Sequence, residues 1–578
     1  MKFRVWAPNA SGVELVLADD ERHLMAMAAG DDGWHEVDVE GTGPGTDYGF
    51  SLDGGPVRPD PRSGWQPAGI DGRSRVVDHS GFAWTDGDWW GIHLPSAVVY
   101  ELHVGTFTPE GTFAGVIERL DHLVDLGVDA VELMPVAEFS GARGWGYDGV
   151  DLFAPHHAYG GPEGLMALVD ACHARGLAVV LDVVYNHLGP AGNHLGEFGP
   201  YFTDRYSTPW GQAVNLDGPD SDEVRGFFVD NALMWLRDYH VDGLRLDAVH
   251  AIVDTSAVHL LEEIAVEVEE LAAALGRRLF VVAESDLNDP RLVRRREEGG
   301  YGLDAQWSDD FHHALHAVLT GERSGYYGDF GSLAHLATAL RRVFVYAGER
   351  SAFRRRAHGR SPAGIPGWRF LGYLQNHDQV GNRAMGERSS HLVPVGRLKI
   401  GAALVLTSPF VPMLFQGEEW GARSPFLYFT DHADPELGRA VSEGRRSEFA
   451  AFGWDPETIP DPQAEETFVR SRLDWSEPGR PPHAELLAWH RALVALRRRT
   501  PELADGRLDR VEVSLDEAAR WFVVRRGAVA VVFSLADDTQ CVPLPGGQRV
   551  LLASEPACRV GEGGVDLVPD SVAIVATG

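Results

Sequence analysis

The chain has 578 residues, several times the roughly 100 to 200 of a typical domain, so two to four domains are expected. Apolar residues make up 44% and charged residues 24%, ordinary globular usage that excludes a fibrous or largely disordered chain. Acidic residues outnumber basic ones by 85 to 51, a net charge of −34 that repels phosphate backbones and anionic lipid, so neither nucleic acid nor membrane is expected as a partner.

Lys2 and Lys399 are the only lysines, a bias toward arginine that reads as genome composition rather than recognition. Cys172, Cys541 and Cys558 are too few and too scattered for a disulfide framework or a four-ligand zinc site, and the charged start MKFRVWAPNA carries no apolar stretch of a secretory signal. A cytoplasmic setting is the expectation. The uncharged run Ile400 to Gly417 is interrupted by Pro409 and Pro412, which predicts a buried helix end, a turn and a buried strand rather than a membrane span.

In chain order, 3–17 and 33–50 alternate apolar and polar residues between Gly, Pro, Asn and Asp, the pattern of a small antiparallel sandwich over residues 1–90. Residues 51–90 read as irregular connection, with Trp84, Trp89 and Trp90 free to pack on the next domain. Eight short apolar strands then alternate with helices, at 98–104, 130–136, 178–187, 243–249, 279–285, 303–308, 369–378 and 411–419. Strands buried on both faces and separated by helices predict a parallel sheet, and eight of them an α/β fold of the (β/α)8 TIM-barrel type over 91–499.

Two intervening helices are defined by period. Leu165, Leu168, Val169 and Cys172 form a stripe ending at Gly176, which makes Cys172 a core thiol. In 221–239, Val224, Phe228, Ala232, Trp235 and Tyr239 share a face, and Asp220 with Glu223 predicts a capping box. The run 188–219 is a long irregular excursion of the kind that covers a site. Past a charged helical stretch to about Arg499, strands such as ARWFVVRR and GAVAVVFSLA predict a C-terminal β-sandwich over 500–578.

A barrel of this type carries its chemistry at the C-terminal strand ends. There the chain places Asp182, Asn186 and His187, Arg245 and Asp247, Glu284, and His377 with Asp378. One such acid is more often a loop cap or an ion pair, and one such histidine a satisfied core residue. Five or more on one rim are costly unless a site uses them. Acids, an arginine and histidines without a phosphate loop point to carboxylate acid/base and nucleophilic chemistry, as in glycoside hydrolysis.

DVVYNH (182–187), GLRLDAVH (243–250), VVAES (281–285) and NHDQ (376–379) resemble, in order and on their own strands, the four short regions of the α-amylase family of glycoside hydrolases. The resemblance implies Asp247 as nucleophile, Glu284 as general acid/base and Asp378 as the acid that clasps the reacting sugar. It further implies Arg245 holding Asp247 ionised, His187, His250 and His377 on sugar hydroxyls, and Tyr147 of WGYDG beneath the reacting ring. Asn186 stands where many members have a calcium ligand, but 188–219 lacks the companion acidic loop, so it is read as a local hydrogen-bonding residue and no metal or cofactor is assigned.

YELHVGTFTPEGTF (100–113) behind an N-terminal, carbohydrate-module-like sandwich is similar to glycogen branching enzymes and to the trehalose-releasing hydrolases of the family. WSDDFHH (307–313), YLQNHDQVGNRAMGER (373–388), FQGEEWGA (415–422) and FLYFTDH (426–432) favour the latter. That branch implies hydrolysis of the α-1,4 bond next to the terminal trehalose of maltooligosyltrehalose, related α-glucans as ligands, and functional pairing with a maltooligosyltrehalose synthase. It implies substrate contacts from Asp309, Asp310, His312 and His313, and from Gln379 and Asn382. The competing readings are a branching enzyme, which passes the glucan to another glucan, a debranching enzyme, and a non-catalytic glucan-binding protein.

Overall fold

The computed structural model describes residues 1–17, 24–450 and 458–578. Eight parallel strands close into a barrel: β1 (Val99–Leu102), β2 (Ala130–Leu133), β3 (Ala178–Val183), β4 (Gly243–Leu246), β5 (Phe280–Ala283), β6 (Ala305–Trp307), β7 (Phe370–Gly372) and β8 (Val411–Phe415). Each pairs with its sequence neighbour, and β8 closes on β1. Successive side chains alternate between the helix layer and the barrel axis. The axis is therefore filled at its base by Val99, Ala130, Val180, Phe280, Val282 and Met413, over a plug from Leu94. Two residues further along β1, β2 and β3 the inward positions become Glu101, Glu132 and Asp182, and two residues after Gly243 on β4 comes Arg245. Period alone thus carries the interior from apolar base to charged mouth.

The helices cover the outer face. α1 (Gly161–His173) buries Leu165, Leu168, Val169 and Cys172, and burial pushes the Cys172 thiol up, so it stays protonated as a core residue. α2 (Ser221–Arg237) buries the predicted stripe, but the capping box is absent: Asp220 is left-handed at φ 58°, which turns its carboxyl away from the first-turn N–H groups. Val395–Thr407 is a buried helix followed by β8, and no helix among the described residues is long and apolar enough to cross a membrane.

Before the barrel, two small antiparallel sheets pack face to face. Lys2–Trp6 pairs with Trp34–Asp38 in one, and Val13–Leu17 pairs with Asp47–Leu52 in the other. After it, a five-stranded and a three-stranded sheet enclose Val523, Val532, Val542, Val565 and Val575. The 188–219 excursion is more ordered than its sequence suggests, with a helical turn Leu195–Phe198 and a hairpin Phe202–Thr208 with Gly211–Val214. The N-terminal module braces it: Trp6 meets Tyr201 edge-on at 5.4 Å, and Arg58 binds Glu197 at 2.8 Å. Gly199 is required there, because a Cβ would lie 2.7 Å from the Trp6 ring.

A polar strap joins the connection to the barrel base. His173 bridges Asp86 at 2.8 Å and Asp242 at 2.9 Å, Trp89 donates to Asp242 and stacks on His173, and Trp84 stacks on His240. Trp90, in contrast, stays 64% exposed. Burial opposes charge on His173, but its hydrogen bonds to Asp242 and Asp86 outweigh it and raise the ring. Burial also acts against ionised Asp86, yet His173 and His240 bring it down to about 2.

A raised histidine stabilises the fold fully below its unfolded value and loses that contribution as pH rises through the folded value; lowered Asp86 contributes above its ordinary range and fails as pH falls toward about 2. His173→Gln should cost roughly 3 to 5 kcal/mol near pH 6, with the gap from wild type narrowing toward pH 9. Denaturant midpoints across that range check it, and a gap independent of pH would rule out a charged His173.

Candidate active site

Arg245 sits on β4 with its side chain fully buried, and Trp307 of β6 lies flat against it, 4.3 Å from guanidinium carbon to ring centre. Its Nη1 donates to Asp182 at 2.5 Å and to Asp247 at 3.0 Å, and its Nη2 is 3.0 Å from Glu284. One cation thus anchors acids from β3 and from the ends of β4 and β5. The second oxygen of Asp247 accepts from Asn186 at 2.6 Å, and Asn186 also binds the Asp247 carbonyl at 2.9 Å. Asn186 is therefore spent on Asp247, and its own carbonyl oxygen meets His187.

Glu284 accepts the N–H of Ala248 at 2.7 Å, a residue held left-handed at φ 39° directly after Asp247. Burial, followed by the carboxylates of Asp247, Asp378 and Asp309, outweighs Arg245 and raises Glu284 well above the carboxylate range. Its surroundings therefore favour the protonated form of Glu284. Asp378 is the most open acid, 39% exposed at the start of the turn after β7, where Asn382 donates to it at 3.1 Å.

Tyr147 completes the floor. Gly146 before it has φ 98° and a Cβ there would lie 2.2 Å from the Pro135 carbonyl, so the turn needs glycine. The phenol donates to Asp182 at 2.6 Å, and its ring stacks on His377 at 5.2 Å. Tyr147, His187, Asp247, His250, Glu284, His377, Asp378 and Asn382 all line one open cleft of about 560 Å³.

The 309–313 cluster divides. These residues begin α3 (Asp309–Thr320), where one turn distributes them over several faces. Asp309 accepts from Tyr373 at 2.5 Å and feels Asp378, and burial first, then Asp286, Asp310 and Asp378, raise it to about 7. Asp310 instead turns away: Oδ2 accepts from Asn288 and from the backbone of Val345 and Tyr346, which fixes a loop. His312 is likewise tied to the Leu374 carbonyl at 2.7 Å and the Tyr327 hydroxyl at 2.9 Å. For these two the expected sugar contact gives way to internal hydrogen bonds. His313 packs on Tyr326 and Phe330, and Gln379 accepts from Tyr326 at 3.3 Å, so both form the wall behind the cleft.

Sequence reasoning missed several residues here. Trp210, at the tip of the hairpin in 188–219, is 49% exposed and stacks on His187 at 4.6 Å, and Tyr428 and Arg445 line the opposite side. Glu101 and Glu132 were hidden inside apolar strands. An acid within such a strand was the available signal, since burial there is costly without a partner.

Among the described residues, Glu138, His156 and His157 have the spacing of a metal site. Their hydrogen bonds oppose it. His156 Nδ1 accepts the N–H of Ala158 at 3.1 Å, so Nε2, facing Glu138 at 3.7 Å, carries the ring proton, and His157 Nδ1 donates to Glu138 at 2.7 Å. The nitrogens that face the carboxylate are donors rather than ligands.

Residues 78–198 match the catalytic domain of α-amylase, 1–61 match carbohydrate-binding module 48 (isoamylase N-terminal domain), and 506–574 match a domain of unknown function. The malto-oligosyltrehalose trehalohydrolase of Arthrobacter ramosus is 53% identical over 577 residues, 99% of each chain. The chain belongs to the malto-oligosyltrehalose trehalohydrolase family. The member from Mycobacterium tuberculosis is 50% identical over 580 residues, again 99% of each chain. A crystal structure described as a putative α-amylase from Salmonella typhimurium superposes with a TM-score of 0.92 at 41% identity, covering 100% of this chain and 97% of that one. The trehalohydrolase family thus shares the whole of this architecture and not the barrel alone.

Arg245→Met would leave Asp182, Asp247 and Glu284 without their cation. A loss of about 3 to 5 kcal/mol is expected at pH 8. The loss should shrink at pH 5, because the unpaired acids then take up protons more readily than in the wild type. Equal losses at both pH values would place the cost in packing instead.

Proposed function

We propose that this protein is a retaining glycoside hydrolase that cleaves the α-1,4 bond beside the terminal trehalose unit of maltooligosyltrehalose and releases trehalose. The observation that carries the reading is the pair Asp247 and Glu284 on one guanidinium, the first accepting from Arg245 and Asn186 on its two oxygens, the second raised by its surroundings. A shared guanidinium favours the short separation of about 5 to 5.5 Å that a retaining pair uses.

In this reading Asp247 attacks the anomeric carbon while the Glu284 carboxyl gives its proton to the departing glycosidic oxygen of trehalose. The glycosyl ester on Asp247 is then cleaved by water, which Glu284, now ionised, deprotonates. Asp378 clasps the hydroxyls of the reacting ring, Tyr147 lies beneath it, and Trp210 and Tyr428 offer stacking faces on either side of the cleft. Asp309 and His313 serve the leaving side through Tyr373 and Tyr326. The enzyme would act in the cytoplasm on the product of a maltooligosyltrehalose synthase.

Glu284→Gln should lower kcat for trehalose release by at least a thousandfold with the fold intact, and Asp247→Asn by as much, because each removes one chemical step. Chromatography of the products from maltooligosyltrehalose, maltohexaose and amylose tests the substrate: free trehalose from the first and little action on the others is expected. New branch points from amylose would move the protein to the branching enzymes.

A further inference from the structure

Glu101 has no place in that mechanism, yet it is the acid most fully committed to the site. It projects from β1 into the barrel, and its side chain and that of His377 are each 1% exposed. One carboxylate oxygen accepts the backbone N–H of His377 at 3.1 Å, and the other meets Nδ1 of the same ring. The carboxylate accepts, so Nδ1 carries a proton.

The opposite nitrogen, Nε2, lies 2.7 Å from the Tyr147 hydroxyl. That hydroxyl has a single proton, and Asp182 is its nearer acceptor at 2.6 Å, a carboxylate already bound to Arg245. With the proton on that bond, the phenol oxygen accepts from Arg245 at 3.3 Å and from His377. Nε2 is then a donor as well, and a ring with two donors is an imidazolium.

We propose that Glu101 is a positioning residue for hydrolysis: it fixes His377 as a cation under the cleft, where the ring orients Tyr147 and faces Asp378. His377 Nε2 is 3.7 Å from Asp378 Oδ1, close enough to act through space on that acid. Burial, Arg245 and the neighbouring His103 disfavour the charge; Glu101 and Asp378 outweigh them, with Asp182 adding negative potential, and push His377 up to about 9, while nearby Glu132 is itself raised by burial and by Glu101 toward its neutral form. Trp145 and Trp307 close the remaining sides of the ring and keep water from taking over the role of Glu101. The role rests on the catalytic assignments above, but the charge of His377 does not.

The test is therefore a titration that needs no substrate. Histidine-selective ¹⁵N spectra of the full chain, with His377 assigned by loss of its signals in His377→Asn, should show an imidazolium through pH 8. In Glu101→Gln the transition should fall by two or more pH units. The alkaline limb of kcat should fall with it, giving at least a tenfold loss at pH 8 that is recovered near pH 6. Glu101→Asp, which keeps the charge, should titrate close to wild type. A neutral His377 ring in the wild type at pH 7 would overturn the proposal, as would a Glu101→Gln variant with an unmoved titration or a loss uniform across pH. Failure of wild type to release trehalose, with the titration as expected, would remove the reaction and leave the ion pair standing.

Discussion

The guanidinium of Arg245, with no exposed surface, lies within 3.0 Å of oxygens from Asp182, Asp247 and Glu284, and the rest of the structure is arranged to make that contact tolerable. A buried cation costs several kcal/mol of lost hydration, which its partners offset only when their geometry is held firmly. The barrel supplies that firmness. β3, β4 and β5 are in direct register, with Asp182 opposite Arg245, so the ion pair is set by backbone hydrogen bonds rather than by flexible side chains. Trp307 shields the remaining face of the guanidinium with a ring rather than with water.

The proposed acid and nucleophile differ in chemistry although both touch the same arginine. Asp247 receives Arg245 on one oxygen and Asn186 on the other, so its charge is matched twice. Glu284 has its backbone donor from Ala248 and the edge of Arg245, but it also faces Asp247, Asp378 and Asp309. Two carboxyl groups on one arginine thereby meet different surroundings, the asymmetry between nucleophile and acid that a retaining mechanism uses. Charge enters the floor a second time through the Glu101 and His377 pair, which lies on the far side of Tyr147.

The barrel and its rim were legible in the sequence because period and position suffice for them. Strands buried on both faces read as apolar runs, and polar residues at their ends stand out: Asp182, Arg245, Asp247, Glu284, His377 and Asp378 were all found so. What the pattern concealed has physical reasons. Glu101 and Glu132 lie inside apolar strands, where composition alone gives no partner to justify them. Trp210 sits in a Gly- and Pro-rich excursion whose hairpin depends on long-range support from Trp6 and Arg58. Asp310 and His312 were grouped with Asp309 by sequence proximity, but a helix rotates by 100° per residue, so neighbours in sequence meet different surroundings. Asp220 failed as a cap because its backbone is left-handed, a conformation that composition does not reveal.

Whether Arg245 holds a retaining pair at the barrel mouth is tested most directly by the stereochemistry of hydrolysis. Proton NMR in the first minutes after enzyme is added to maltooligosyltrehalose follows the newly exposed reducing end before it mutarotates. With Asp247 as covalent nucleophile, the α-anomer of the maltooligosaccharide should appear first, alongside trehalose, and the β signal should grow later. A β-anomer formed first would mean direct displacement by water, and would contradict that assignment of Asp247.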